Sequence, residues 1–168
     1  MNTSKNKTLI MIGGAPGCGK TTTAEQLKNS LERSVWLDGD WCWMMNPWEF
    51  SEQNKRMVER NISFMLNSFL ENDSFEYVIL SWVLHSQNLI DTVLDSLNLE
   101  DVDIHTYSLV CDETVLEDRM INGGREKGQI ESSIERMKLY KHLNTHNLDI
   151  SKLTPEEVVM RIVEVIRK

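Results

Sequence analysis

Cysteine is scarce in this chain, and so are the residues that interrupt or staple a fold. The three cysteines, Cys18, Cys42 and Cys111, are odd in number and far apart. They exclude a disulfide framework, and the four histidines add no zinc-ligand spacing to them. Three prolines and eight glycines are too few for a linker or a low-complexity tract. No apolar run is long. The polar opening Met1–Lys7 is followed only by the short run Thr8–Ile12, which is no secretory core and no membrane span. Basic residues are in deficit, 18 against 26 acidic for a net charge of −8. A broad phosphate-tracking surface is therefore excluded, although a local basic pocket is not. These absences predict a cytoplasmic, acidic protein with neither nucleic acid nor membrane as partner, a monomer or homodimer. Its 168 residues suit a single domain, 1–168, which buries roughly 70 % of its unfolded surface.

What is present is an alternation of short apolar runs and amphipathic stretches, the pattern of β-α-β units around a parallel sheet. Thr8–Ile12 is uninterrupted and ends in Gly13-Gly14, as a strand buried on both faces reads. Further strands are expected at Val35–Leu37, Tyr77–Leu80, Ile104–Val110 and, by its place in the alternation, His146–Ile150. Helical spacing appears over Thr21–Leu31, Ser51–Leu70, Leu89–Leu97, Glu113–Met120 and Ile130–Leu143. Asp112 is placed to cap the fourth of these with its carboxylate. Thr154-Pro-Glu-Glu157 is a capping box that opens a last helix to Ile166. The expected fold is a three-layer α/β domain, a five-stranded parallel sheet with helices on both faces. Asn122–Gly128, with three glycines and no apolar residue, reads as a mobile loop within a mobile segment around 121–129.

Gly14-Ala15-Pro16-Gly17-Cys18-Gly19-Lys20-Thr21 fits G-x-x-x-x-G-K-[ST], between a buried strand and a helix as that motif requires. Its glycines let successive amides turn inward around phosphate oxygens, and the helix that follows adds its positive end. Lys20 is then expected to bridge the β- and γ-phosphates, with the Thr21 hydroxyl on magnesium and Thr22 completing the nucleotide contacts. Cys18 contributes its backbone amide rather than its thiol. The glycine order is not that of the dinucleotide fingerprint, which disfavours a nicotinamide cofactor.

A phosphate loop alone does not separate a kinase from a GTPase, an ATPase or a switch. No guanine-reading N-K-x-D occurs, the third strand runs into Ser81-Trp82-Val83 rather than Asp-Glu, and the chain leaves no room for a helical lid domain. With these features the sequence resembles the small phosphate-loop kinases: shikimate, gluconate and adenylylsulfate kinases, chloramphenicol phosphotransferase and the nucleotide kinases. The resemblance implies ATP and Mg2+ as cofactors and an ATP-dependent phosphotransferase acting on a hydroxyl of a small molecule. It implies Asp38 near the metal through water and Asp40 orienting or deprotonating the acceptor. It also implies Arg119 against adenine, Arg125 as the lid arginine, and Asp149–Leu153 completing the adenine pocket. Arg136 can face phosphate, acceptor or solvent. A carboxylate beside an in-line hydroxyl can accept its proton, so the Asp38-Gly39-Asp40 pattern also makes chemical sense by itself.

Tryptophans gather at strand ends: Trp41, Trp43 and Trp48 follow the second strand and Trp82 the third, where ligands of doubly wound sheets lie. They are expected to wall the acceptor site, at least two of them also packing core, while Trp36 lies in the core. His85 is expected at the surface or behind the site. Arg56 and Arg60 can supply a phosphate-binding charge from the second helix, but Ser81–Leu84 supplies no arginine. A hydroxyl acceptor is therefore favoured over a nucleoside monophosphate. The remaining alternative is a nucleotide-binding switch.

Overall fold

A computed structural model describes residues 6–168, so the first five residues of the polar opening lie outside it. Five strands form one sheet: β1 Lys7–Gly14, β2 Ser34–Asp38, β3 Tyr77–Ser81, β4 Val102–Val110 and β5 His146–Asp149. All neighbouring pairs are parallel, in the order β2-β3-β1-β4-β5. Six α-helices connect and cover them: α1 Lys20–Ser30, α2 Glu52–Glu71, α3 Gln87–Asp95, α4 Glu113–Asn122, α5 Lys127–Tyr140 and α6 Pro155–Ile166. None is long and apolar enough to cross a membrane.

The strand alternation sorts the core into two halves. Ile10, Ile12 and Ile79 face one side, where α1, α4, α5 and α6 pack. Leu9, Met11, Val78 and Leu80 face the other, against Val58, Ile62 and Leu66 of α2 and Leu89, Ile90 and Val93 of α3. Both faces of the central strands are dry, which is why they read as continuous apolar runs. Connections leave β1 toward β2 and β3 toward β4 in opposite directions, opening a crevice at the carboxyl ends of β1 and β3. The crevice floor is held by Trp82, whose N–H donates to the Ile12 carbonyl at 3.1 Å.

Local chemistry departs from the sequence expectation at three places. Asp112 stands before α4, but its carboxylate makes no capping bond; its own N–H donates instead to Ser151 Oγ at 2.8 Å. The stretch Asn122–Gly128 is not loop throughout: α4 runs to Asn122, α5 begins at Lys127, and only residues 123–126 are non-helical. Gln129 explains the early start, because its side-chain oxygen accepts from the Glu126 N–H at 3.1 Å and supplies half of a capping box. Asp38-Gly39-Asp40 is not a simple turn but opens a short 3-10 helix, Gly39–Trp43. The box at Thr154 forms as expected, with Glu157 N–H donating to Thr154 Oγ1 at 3.2 Å and Thr154 N–H to Glu157 Oε2 at 2.7 Å.

Gly39 is required by contact: a Cβ there meets Trp82 Cγ at 2.4 Å. Gly39→Ala should therefore destabilise the protein by about 1–3 kcal/mol, as overpacking does. Gly128→Ala, in the first turn of α5 with nothing within 4 Å of the added Cβ, should stabilise it by roughly 0.5–1 kcal/mol. Thermal unfolding of the two variants checks both signs, and a fall in Tm for Gly128→Ala refutes the helical start at Lys127.

Candidate active site

The phosphate loop emerges from β1 at the crevice. Gly19 takes φ +83° at the α1 N-cap, a left-handed conformation that glycine adopts freely, and its Cβ position opens onto empty space. It has no side chain to cap the helix, so the first amides of α1 are left for an anion. Lys20 Nζ lies back across the loop and donates to the Ala15 carbonyl at 3.2 Å. Burial holds Lys20 below the ordinary lysine range and Arg136 adds to that, while Cys18, Asp40 and Asp38 oppose it. Pro16 is exposed, but its carbonyl accepts from Ser133 Oγ of α5 at 2.5 Å. Ala15 and Cys18 turn inward and are fully buried. The neighbouring Cys111 thiol and the Lys20 charge hold Cys18 below the usual thiol range, against its burial.

Asp38 joins this loop to the end of β2. Only 6 % exposed, its Oδ2 accepts from Thr21 Oγ1 at 3.0 Å and its Oδ1 from the Asp40 N–H at 3.0 Å. A threonine hydroxyl and a carboxylate are hard oxygen donors. They suit magnesium, which takes one or two protein oxygens and leaves the rest to phosphate and water. Among the described residues no group of three or more His, Cys, Asp or Glu is placed to hold a metal ion. Asp40 is at the surface, yet the protein around it withholds solvent from its inner side. That desolvation raises its carboxyl above the ordinary value, as does the charge of Asp38, against the pull of Lys20.

Two clefts flank this centre. On one side a cavity of about 280 Å3 is bounded by Gly17, Gly19, Thr22, Arg119, Ile150 and Leu153. Arg119 Nη2 donates to the Ile150 carbonyl at 3.4 Å, so the sequence pairing of Arg119 with 149–153 is a physical neighbourhood. On the other side a cavity of about 550 Å3 is lined by Asp40, Trp43, Trp48, Trp82, Lys55 and Arg136.

Three expected site residues do not join this second cavity. Trp41 turns instead against Trp36, ring centroids 4.9 Å apart. Residues two apart in a 3-10 helix project in different directions, and Trp43 takes the cavity side. Arg60 lines a separate groove between α2 and α3, with Arg56, Ser63 and Thr92. The helical period puts Lys55 and Glu59, not Arg60, toward the cavity. Arg125 is exposed on the α4–α5 turn, its N–H bonded to the Met120 carbonyl at 3.0 Å. Trp36 is half-buried rather than enclosed, with its Nε1–H donated to Ser81 Oγ at 2.9 Å.

Sequence reasoning also missed cavity residues. Lys55, Glu59, Phe50 and Met44 line it, and Arg136 is settled among them. Phe50 had a signal, an aromatic immediately before the Ser51 N-cap and off the helical repeat. Lys55 and Glu59 had none, because charges on an amphipathic helix read as a solvated face. His85 lines the same cavity, and its imidazole is held below the ordinary value by burial and then by Arg136 and Lys55.

Residues 10–140 match the protein family described as an AAA domain. No curated protein matches the chain in sequence. Solved structures share its architecture at low identity. A gluconokinase from Sinorhizobium meliloti 1021 is 16 % identical with a TM-score of 0.68, over 97 % of each chain. The tunicamycin resistance protein of Deinococcus radiodurans is 16 % identical with a TM-score of 0.71, over 95 % of each. Shikimate kinase from Acinetobacter baumannii, in complex with shikimate, is 16 % identical with a TM-score of 0.63, over 96 % of this chain and 93 % of that one. At such identities the likeness is one of fold, the five-stranded α/β phosphate-loop kinase fold. By the match over 10–140, which contains the phosphate loop and the first four strands, the chain belongs to the AAA-domain family.

Proposed function

We propose that this protein is a small-molecule kinase that moves the γ-phosphoryl group of ATP to an acceptor hydroxyl. One observation carries the reading: Asp38 hydrogen-bonds both Thr21 of the phosphate loop and the backbone of Asp40. A nucleotide-gripping loop is thereby fastened to a free carboxylate that opens onto a second cavity. A switch needs no such acceptor-side carboxylate.

On this reading the loop amides and Lys20 hold the triphosphate, with Arg119 and 149–153 around the base. Thr21 and Asp38 would hold magnesium, Asp38 through water, and the ion would neutralise charge on the β- and γ-phosphates. Asp40 orients the acceptor hydroxyl in line and takes its proton as the new O–P bond forms and the bond to the bridging oxygen breaks, releasing ADP. Arg136, in the same cavity as Asp40 and near enough to depress Lys20, stabilises the charge that develops on the transferring group. Arg125 has a secondary role, brought nearer if the α4–α5 turn closes as a lid and excludes water. A phosphate acceptor gains one argument, since Lys55 and Arg136 bring positive charge to the cavity that Ser81–Leu84 lacks. The free carboxylate of Asp40 beside it favours the hydroxyl.

Lys20→Ala should leave the fold intact and abolish transfer, because the side chain's hydrogen bond is only to its own loop. ATP binding by calorimetry and product formation across pooled hydroxyl and phosphate acceptors check this; wild-type transfer in the variant sinks the assignment. Arg136→Ala should lower kcat by roughly a hundredfold or more, as loss of a charge-stabilising donor does, and Arg125→Ala by less than about tenfold. The reverse order returns the role to Arg125.

Asp40 gives a pH test. Transfer needs its carboxylate, and desolvation and Asp38 raise its pKa above 3.8. As pH falls through that raised value the proton occupies the base, so kcat/KM should fall on an acid limb above the ordinary aspartate range. Asp40→Asn should remove the limb, lower transfer by about 10²–10⁴-fold and leave ATP affinity unchanged. Loss of ATP binding with normal turnover per bound ATP places Asp40 in the nucleotide site instead.

A further inference from the structure

We infer that the acceptor is a hydroxyl compound carrying a planar ring system of about nucleoside size, held by stacking against the aromatic wall of the second cavity. The inference rests on the phosphotransferase reading and adds the class of substrate.

The wall is anomalous as protein surface. Met44 is 83 % exposed, and Trp48 and Phe50 are 63 % exposed each, all at the mouth of one cavity. Large apolar side chains left open together mark a binding surface, whereas singly they mean nothing. Their rings are also ordered. Trp43 and Phe50 lie 5.5 Å apart at 25°, and Trp48 and Phe50 6.2 Å apart at 20°. Phe50 is thus stacked on both indoles, while Trp43 and Trp48 are tilted at 43° to each other with centroids 6.0 Å apart; the open faces of Trp48 and Phe50 suit a flat partner better than a flexible chain. Trp48 and Phe50 are not core, because the core on this side is built by α2, α3 and the strands without them.

The cavity itself identifies what covers the wall. Asp40 lines the same cavity, so an occupant held on the rings can present a hydroxyl to its carboxylate. About 550 Å3 is the volume of a site for a drug-sized ligand, more than a six-carbon sugar acid fills. The polar groups are few and balanced. Lys55 and Glu59 offer one donor and one acceptor for heteroatoms at a ring edge, while Arg136 is engaged by the transferring phosphate. Neither cation has an ion-pair partner among the described residues. The transfer balances as before: the hydroxyl proton passes to Asp40, the acceptor O–P bond forms, and ADP leaves.

The test uses the full chain with Mg-ATP and two acceptor arms. One arm holds nucleosides and aryl-bearing alcohols; the other holds ring-free polyols, gluconate and the non-aromatic ring acid shikimate. Product is read by mass, and binding separately by quenching of tryptophan fluorescence. The expected result is transfer to at least one member of the first arm. Trp48→Ala and Phe50→Ala should then raise its KM on the order of tenfold to a hundredfold, with kcat and ATP affinity unchanged. Phe50→Tyr, which keeps the ring, should restore KM. Both positions are surface ones, so the variants should fold; unaltered thermal unfolding checks that. Transfer confined to the second arm, or a KM indifferent to both alanine variants, overturns the flat acceptor while leaving the kinase standing. Transfer to neither arm removes the kinase reading and this inference with it. Concentration-dependent self-association abolished by Trp48→Ala, with no change in acceptor KM, assigns the wall to a second copy instead.

Discussion

The carboxylate of Asp38 is the point on which this molecule turns. A buried carboxylate with no direct cation is costly unless its oxygens are hydrogen-bonded, and here each oxygen has one donor, Thr21 Oγ1 and the Asp40 amide. The same two bonds fix the spacing between the phosphate loop on β1 and the Asp40 carboxylate beyond β2, although β3 lies between those strands in the sheet. Trp82 completes the brace. It leaves β3 with its amide on Ile12 and its ring flat against Gly39, where no side chain fits. Three strands thus deliver loop, base and wall to one crevice, and the tolerance at their junction is less than one methyl group.

That rigidity explains which parts of the site were legible in the sequence. The phosphate loop, Asp38, Asp40 and Trp82 lie within a few residues of strand ends, and a strand end has only one place to go in a parallel sheet. Arg119 was legible for a similar reason, since its neighbour Ile150 follows β5 directly. Residues carried on helices were not. Arg60 and Glu59 differ by one position, yet the helical period puts Glu59 at the acceptor cavity and leaves Arg60 in the outer groove alone. No alignment of charges along the chain reveals that phase, because both faces of α2 are polar outside its buried stripe. The unmade cap at Asp112 has the same origin: its carboxylate makes no capping bond, and its N–H donates to Ser151 Oγ, a partner that tertiary packing brings from beyond β5.

The arginines show how helix phase bears on chemistry. Arg125 and Arg136 are both near the fourth crossover in sequence, but only Arg136 is placed on a helix that is itself tied down. Ser133 of α5 donates to the Pro16 carbonyl, and the Tyr140 hydroxyl donates to the Val83 carbonyl. These two bonds, on either side of Arg136, lock α5 to the phosphate loop at one end and to the acceptor wall at the other. A side chain held between them keeps its position whether or not the α4–α5 turn moves. An arginine on the turn has no such frame, and any contribution from it depends on closure. On the proposed reading the segment 123–128 therefore bears less of the chemistry than its glycine density in the sequence suggests.

The charges at this crevice also answer how an acidic chain takes an anionic ligand. Net charge sets the distant field, but the loop amides, Lys20, Arg119 and Arg136 are gathered within it, and a site at close range is governed by its own groups. The opposing shifts of Lys20 and Asp40 follow from that crowding. Lys20 is depressed because its cation is withdrawn from water, and Asp40 is raised because its anion is, with Asp38 beside it. A bound triphosphate adds negative charge at the centre of this group. It relieves Lys20 and, unopposed, pushes Asp40 still further toward its protonated form, in which it can no longer take a proton from an acceptor. On the proposed reading the cations of Lys20 and Arg136, with a metal ion that Thr21 and Asp38 would hold, then have two functions. They spread the charge of the transferring group, and by cancelling it they keep Asp40 ionised as the base.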